Sequence, residues 1–180
     1  MKYLENAVIL THLLSALRKQ DSWCGETHVQ KSVYLLSEVQ GIDLGFRFIL
    51  YHHGPFSFDL RGELTSLQAD GLLALEFQPI PYGPRLAPTQ AALDLQSRFP
   101  KTMAKYRPAV ERIAQYLGNR GVNALERLAT AVYVTRRQPE ADPETRAEAL
   151  AGLKPHIALE DAQAAIAEAD GLLAAAVAPP

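Results

Sequence analysis

The chain has 180 residues, 48% of them hydrophobic and 21% charged, which is enough apolar material for a core and unlike a disordered segment. Eighteen basic residues against twenty acidic ones leave a net charge of −2, which excludes a uniformly basic nucleic-acid coat but not a local basic patch. One cysteine, Cys24, excludes an internal disulfide and a cysteine-based zinc site.

Charge is uneven along the chain: residues 1–65 carry net −1, residues 66–120 net +3 and residues 121–180 net −4. No aromatic residue follows Tyr133, and 14 of the last 40 residues are alanine. Aromatic side chains bury the largest areas, so the main core is expected before that point, with helices packed onto it. Glu5, Asn6 and His12 interrupt the apolar N-terminal run, and residues 171–180 are too short to span a bilayer. A cytoplasmic location without a membrane partner is the expectation.

Ala7, Leu10, Leu14 and Leu17 recur at helical spacing and predict a first helix over about 4–19. Thr27-His-Val-Gln30 has the form of a capping box and predicts a second helix, with Val29, Val33, Leu36 and Val39 on its apolar face and Gly41 closing it. Phe46 to His52 reads as a strand ended by a Gly54-Pro55 turn. Ser57 is the expected N-cap of a third helix over 58–70, with Asp59 in its first turn and Leu60, Leu64 and Leu67 inward. Residues 71–88 read as a hairpin with a Pro/Gly-rich tip at Pro79 to Pro84, and Thr89 caps the helix after it. Pro108 suits the first turn of a helix ending at Gly118, and Asn123-Ala-Leu-Glu126 looks like a second capping box. Asp142-Pro143 opens another helix, and the last begins near Leu159.

Three helices, a Gly-Leu-Leu strand, a hairpin and an Arg-Leu-Ala-Pro-Thr strand-to-helix junction follow the order of a winged helix-turn-helix. Leu67 to Ala92, LQADGLLALEFQPIPYGPRLAPTQAA, resembles the wing region of MarR- and PadR-type regulators. Gln30 to Leu73 contains a Lys-x-Val-Tyr-Leu-Leu helix and a Tyr-His-x-Gly-Pro-aromatic-Ser turn, and in these it resembles the YwgA-like bacterial proteins. The Panacea antitoxin domain is a looser relative of the same pattern. The resemblance covers residues 4–95 and implies a winged-helix core with no assigned activity; the family turn comprises Tyr51, His52, Gly54, Pro55, Phe56 and Ser57. One departure stands out. A helix-turn-helix joins its helices by three or four residues, whereas Gly41 to Ser57 intervene here.

The third helix holds the recognition position, where Arg61 and Gln68 are candidates to read base edges. Asp59 and Glu63 on the same helix would repel phosphates. Arg85 on the wing and Arg98, Lys101, Lys105, Arg107 and Arg112 beyond it are candidate phosphate contacts, against the plainer reading of a solvated surface. His52 and His53, on opposite faces of a strand end, are not placed to share a metal ion. Arg47 and His52 match the Arg-x4–6-His spacing of HEPN ribonucleases, but in a strand rather than a helix. Gly118-Asn-Arg-Gly121 has the GxxG form of a KH loop without the sheet a KH fold needs. No Gly-x-Ser-x-Gly, P-loop or dinucleotide fingerprint occurs, and Cys24, beside Trp23 and with no cationic residue expected near it, reads as a packing thiol rather than a nucleophile.

The expected fold class is mainly α with a small antiparallel β wing: a winged helix-turn-helix-like domain over 1–97 and a helical extension over 98–180 packed on it. The expected function is that of a non-enzymatic regulator held weakly to duplex DNA through phosphate contacts, needing no cofactor or metal. The alternative is a protein-interaction module such as an antitoxin or defence-system accessory, with a homodimer left open.

Overall fold

The computed structural model describes residues 2–79 and 83–177, and among these it is mainly helical, with eight helices and two small antiparallel sheets. Helices α1 (Lys2–Lys19) and α2 (Glu26–Gln40) form the centre. Residues 6–14 of α1 and 28–36 of α2 are buried without a break, so neighbours cover both helices on all sides. Each fully buried leucine, such as Leu10, Leu13, Leu14 and Leu35, contributes about 1.5–3 kcal/mol by leaving water.

Gly25, not Thr27, precedes α2, and no side chain caps it. The capping-box expectation fails because Gln30 is used elsewhere. Its amide clamps the backbone of Ser57, donating to the carbonyl and accepting from the N–H at 2.9 Å each. Gly41 ends the helix in the left-handed conformation, as a C-terminal glycine should.

The expected strand 46–52 shrinks to β1 (Ile49–Tyr51), and the expected Gly54-Pro55 turn lies instead in a second strand, β2 (Gly54–Phe56). The turn is His52-His53, with Tyr51 paired to Gly54 and Ile49 to Phe56. Pro55 can occupy β2 because the sheet has only two strands and makes few demands on its missing N–H. Ser57 then caps α3 (Phe58–Ala69) by accepting from the Leu60 N–H, and Leu60, Leu64 and Leu67 point inward as expected.

Strands β3 (Leu73–Glu76) and β4 (Arg85–Pro88) form the second hairpin, in register from Leu73↔Pro88 to Glu76↔Arg85. Its expected tip includes residues 80–82, which lie outside the described residues. A bidentate Arg18–Glu76 pair ties this hairpin to α1, and the Leu86 N–H donates to the Cys24 carbonyl. Cys24 is buried, and burial pushes its thiol up; Arg18 and Arg85 both lie close enough to pull it down, contrary to the expectation of no cation nearby.

Thr89 caps α4 (Gln90–Arg98), and α5 (Pro100–Leu117) follows at once. Pro100, not Pro108, occupies the first turn, so the helix begins eight residues before the expected start. Pro108 sits mid-helix, where its ring removes the bond to the Ala104 carbonyl; Ala104 is exposed, so water can take that carbonyl. Val110, Ile113, Ala114 and Leu117 keep the helix docked.

Gly121, not Asn123, precedes α6 (Val122–Arg137), again without a side-chain cap, and Glu126 turns inward. Asp142 caps α7 (Pro143–Leu153) through Thr145, and α8 (Leu159–Val177) closes the chain. The core does not stop at Tyr133. Ala147, Leu150, Ile157, Ala162, Ala165, Ile166 and Ala169 join the same cluster as α1 and α2, because alanine lets helices approach closely enough to bury small side chains. No helix among the described residues is long and apolar enough to cross a membrane.

Candidate functional site

Two lysines lie where lysine is rarely found. Lys31, at the centre of α2, is 1% exposed, and Lys154, between α7 and α8, is 5% exposed. Both reach the β1–β2 hairpin. Lys31 donates to the Pro55 carbonyl at 2.8 Å, and Lys154 donates to the carbonyls of Tyr51, at 2.8 Å, and His52.

Their counter-charge is Glu126, 3% exposed, whose Oε1 lies 3.1 Å from Lys154 Nζ as an ion pair without hydrogen-bond alignment. His53 Nδ1 approaches Glu126 Oε2 and His156 Nε2 approaches Oε1, each at 3.5 Å, and both rings are otherwise exposed. Burial pushes Lys31 down to about 8; Glu126 opposes that fall and Lys154 adds to it. Thr130, fully buried, presents its hydroxyl to the hairpin with no hydrogen-bond partner among the described residues. A Cβ on Gly54 would meet that hydroxyl at 2.8 Å, and Gly54 also has φ +84°, so two constraints require glycine here.

Above this ionic base the hairpin shows an apolar face. Ile49 and Tyr51, on one side of β1, are 48% and 44% exposed, and Phe58, at the start of α3, is 54% exposed. Tyr51 and Phe58 meet edge to face at 5.8 Å over the buried Phe56, which touches Phe58 at 5.0 Å. Arg61 lies 4.8 Å above the Phe56 ring, and Arg47 pairs with Asp59 at 3.5 Å. His52, in the turn, packs its ring on Tyr51 at 4.4 Å.

Of the residues singled out for nucleic acid, Arg61 and Gln68 line one concavity with Pro84 and Leu86, which flank Arg85, while Lys101 and Lys105 lie on α5. Arg61 makes a bidentate pair with Glu26 at 2.6 and 3.1 Å, which neutralises it. Gln68 donates to the Leu64 carbonyl of its own helix. Glu63 is half-buried rather than facing outward, and burial raises its carboxyl. Arg85 is half-buried with its guanidinium 5.1 Å above the Trp23 ring. Lys101 and Lys105 are exposed on α5, far along the chain from α3. The turn residues Tyr51, His52, Gly54, Pro55, Phe56 and Ser57 do come together, as the hairpin and the cap of α3.

Sequence reasoning missed Lys31, Glu126 and Lys154. A lysine inside the apolar run of a central helix was the available signal for Lys31. Among the described residues, no three His, Cys, Asp or Glu side chains are grouped to hold a metal ion. No protein-family model matches the chain, and no curated protein matches it either.

Proposed function

We propose that the chain is a non-enzymatic protein-interaction module, in which a winged-helix-like unit over residues 1–97 presents the β1–β2 hairpin and the first turn of α3 to a partner protein. The observation that carries this reading is the exposed cluster of Ile49, Tyr51 and Phe58 beside Arg47 and Arg61. Large aromatic and arginine side chains supply most hot-spot energy in protein interfaces. The surface is preorganised, since Gln30, Lys31 and Lys154 hold the hairpin from beneath, and less freedom is lost on binding.

Phe58→Ala should weaken partner binding about thirtyfold, the effect of losing about 2 kcal/mol at a hot spot. Light scattering on the purified chain first decides whether the partner is a second copy: a dimer abolished by Phe58→Ala would assign the surface to self-association. For a monomer, the measurement is quantitative cross-linking of the tagged chain in its own cells. The same protein should be captured by the parent and by Lys101→Gln, and lost with Phe58→Ala. Equal capture by all three would defeat the reading.

A second reading, phosphate-mediated DNA association, is supported by the end of α4 and by α5. Arg98, Lys101, Lys105, Arg107 and Arg112 are all exposed, and none pairs with a carboxylate among the described residues. Lys101, Lys105 and Arg112 recur at intervals of four and seven, which places them on one helix face. If this stripe contacts phosphates, Lys101→Gln with Lys105→Gln should lower the log–log salt slope of duplex binding by about 1.8, or about 0.9 per contact. Fluorescence anisotropy across a salt series measures it, and Arg61→Ala should leave the slope unchanged. No duplex binding at low salt would remove this reading.

A further inference from the structure

A concavity of about 520 Å³ opens between the C-terminal ends of α2 and α6 and the segment 41–48. We propose that it binds a small planar aromatic molecule carrying one anionic group. Its walls are rings: Tyr34 meets Phe48 edge to face at 5.2 Å and lies 6.5 Å from Tyr133, with Phe46 beside them. Such walls favour a flat apolar occupant over an extended polar one.

The charges around the rings are not evenly satisfied. Arg136 is committed to Glu38, pairing with its carboxylate at 3.4 Å and donating to its main-chain carbonyl. Asp43 is occupied in accepting from the Gly45 N–H at 2.7 Å. Arg137 has no carboxylate partner among the described residues; its guanidinium lies over the Tyr133 ring, 4.4 Å from the centroid. One positive charge is therefore without a carboxylate at the rim, over an aromatic ring.

A second observation points the same way. Tyr34, 2% exposed as a whole residue, lines this cavity. Burial, then the Glu38 carboxylate, hold its proton far above the ordinary phenol range, so Tyr34 remains a donor at any physiological pH. Arg137 and Arg136 oppose that rise, which places the phenol within reach of both guanidinium charges. The phenol O–H is therefore a neutral donor for an acceptor that a ligand brings into the cavity. Ring walls, a neutral donor and a guanidinium without a carboxylate together complement an aromatic ring with a carboxylate or a phosphate. This cavity shares no residue with the Ile49–Tyr51–Phe58 surface, so either assignment can fail alone.

Calorimetric titration of the full chain tests it with indole-3-carboxylate and adenosine 5′-monophosphate, each paired with its neutral counterpart, indole-3-carboxamide or adenosine. At least one anion should bind with Kd below about 1 mM and about tenfold tighter than its neutral counterpart. Which anion binds distinguishes a carboxylate from a phosphate source. Arg137→Gln, at an exposed position, should raise that Kd about tenfold and abolish the preference over the neutral molecule. Tyr34→Phe should raise it about fivefold. Melting temperatures equal to the parent's certify both variants as folded, and should Tyr34→Phe misfold, Arg137→Gln decides by itself. No anion binding below about 1 mM, or an Arg137→Gln affinity within twofold of the parent's, would overturn the assignment.

Discussion

Glu126→Gln should lower the unfolding free energy by about 3–5 kcal/mol, the cost of leaving buried charges without their counter-charge. The cluster holds two ammonium groups and one carboxylate, all at most 5% exposed. Removing the carboxylate leaves Lys31 and Lys154 facing each other in a dry site, tied only to the carbonyls of the hairpin. Lys31→Met behaves differently. It keeps the stem's volume, loses one hydrogen bond to Pro55, and leaves Glu126 and Lys154 as a balanced pair, so its cost should not exceed about 1 kcal/mol. Urea denaturation at pH 7 measures both, and hydrogen exchange should show hairpin amides 49–56 opening first in Glu126→Gln. Equal losses for the two variants would mean that charge balance is not what holds the hairpin.

The same cluster explains where the sequence was legible and where it was not. Ser57, Thr89 and Asp142 cap their helices as expected because an N-cap is a local event, closed within three residues by a side chain and a nearby N–H. Gln30 and Glu126 stand at the last position of capping-box patterns, yet each turns inward to the β1–β2 hairpin and its neighbours. The four-residue pattern is the same whichever way the side chain points; packing from distant elements decides. Lys31 and Lys154 meet under one hairpin from opposite ends of the sequence, and no local pattern announces such a meeting. Tyr34 and Arg137 are likewise joined only by the packing of α2 against α6. Pro108 shows the reverse case: a strong local signal for a helix start, overridden because Val110, Ile113 and Leu117 continue an apolar face begun at Met103. The aromatic turn Tyr51–Ser57 was visible as a string, but its division into turn, strand and cap depended on Gly54 fitting against Thr130.

Stability should rise by about 1.4 kcal/mol between pH 7 and pH 9 on account of Lys31 alone. Burial pushes its ammonium down from the ordinary 10.5 to about 8 in the folded chain. Between those values the unfolded chain holds the proton and the folded chain has released it, so raising the pH favours folding. Below pH 8 both states are protonated and the folded state carries the full cost of a buried charge. The gain does not continue indefinitely. Burial raises Cys24 above its ordinary 9.0, and Tyr3 and Tyr116 are pushed up to about 12, so the unfolded chain loses these protons first and stability falls again at higher pH. His12 and His28, held below 6.5 by burial, act on the acid side: the unfolded chain takes their protons first, and stability drops as pH falls through that value. A series of denaturation midpoints from pH 5 to pH 10 should therefore climb through neutrality, peak near pH 9 and turn down. In Lys31→Met the rise between pH 7 and pH 9 should vanish while the acid limb stays, because the histidines are untouched. A variant that keeps the alkaline rise would place its origin outside Lys31 and show that this lysine is solvated in the folded chain.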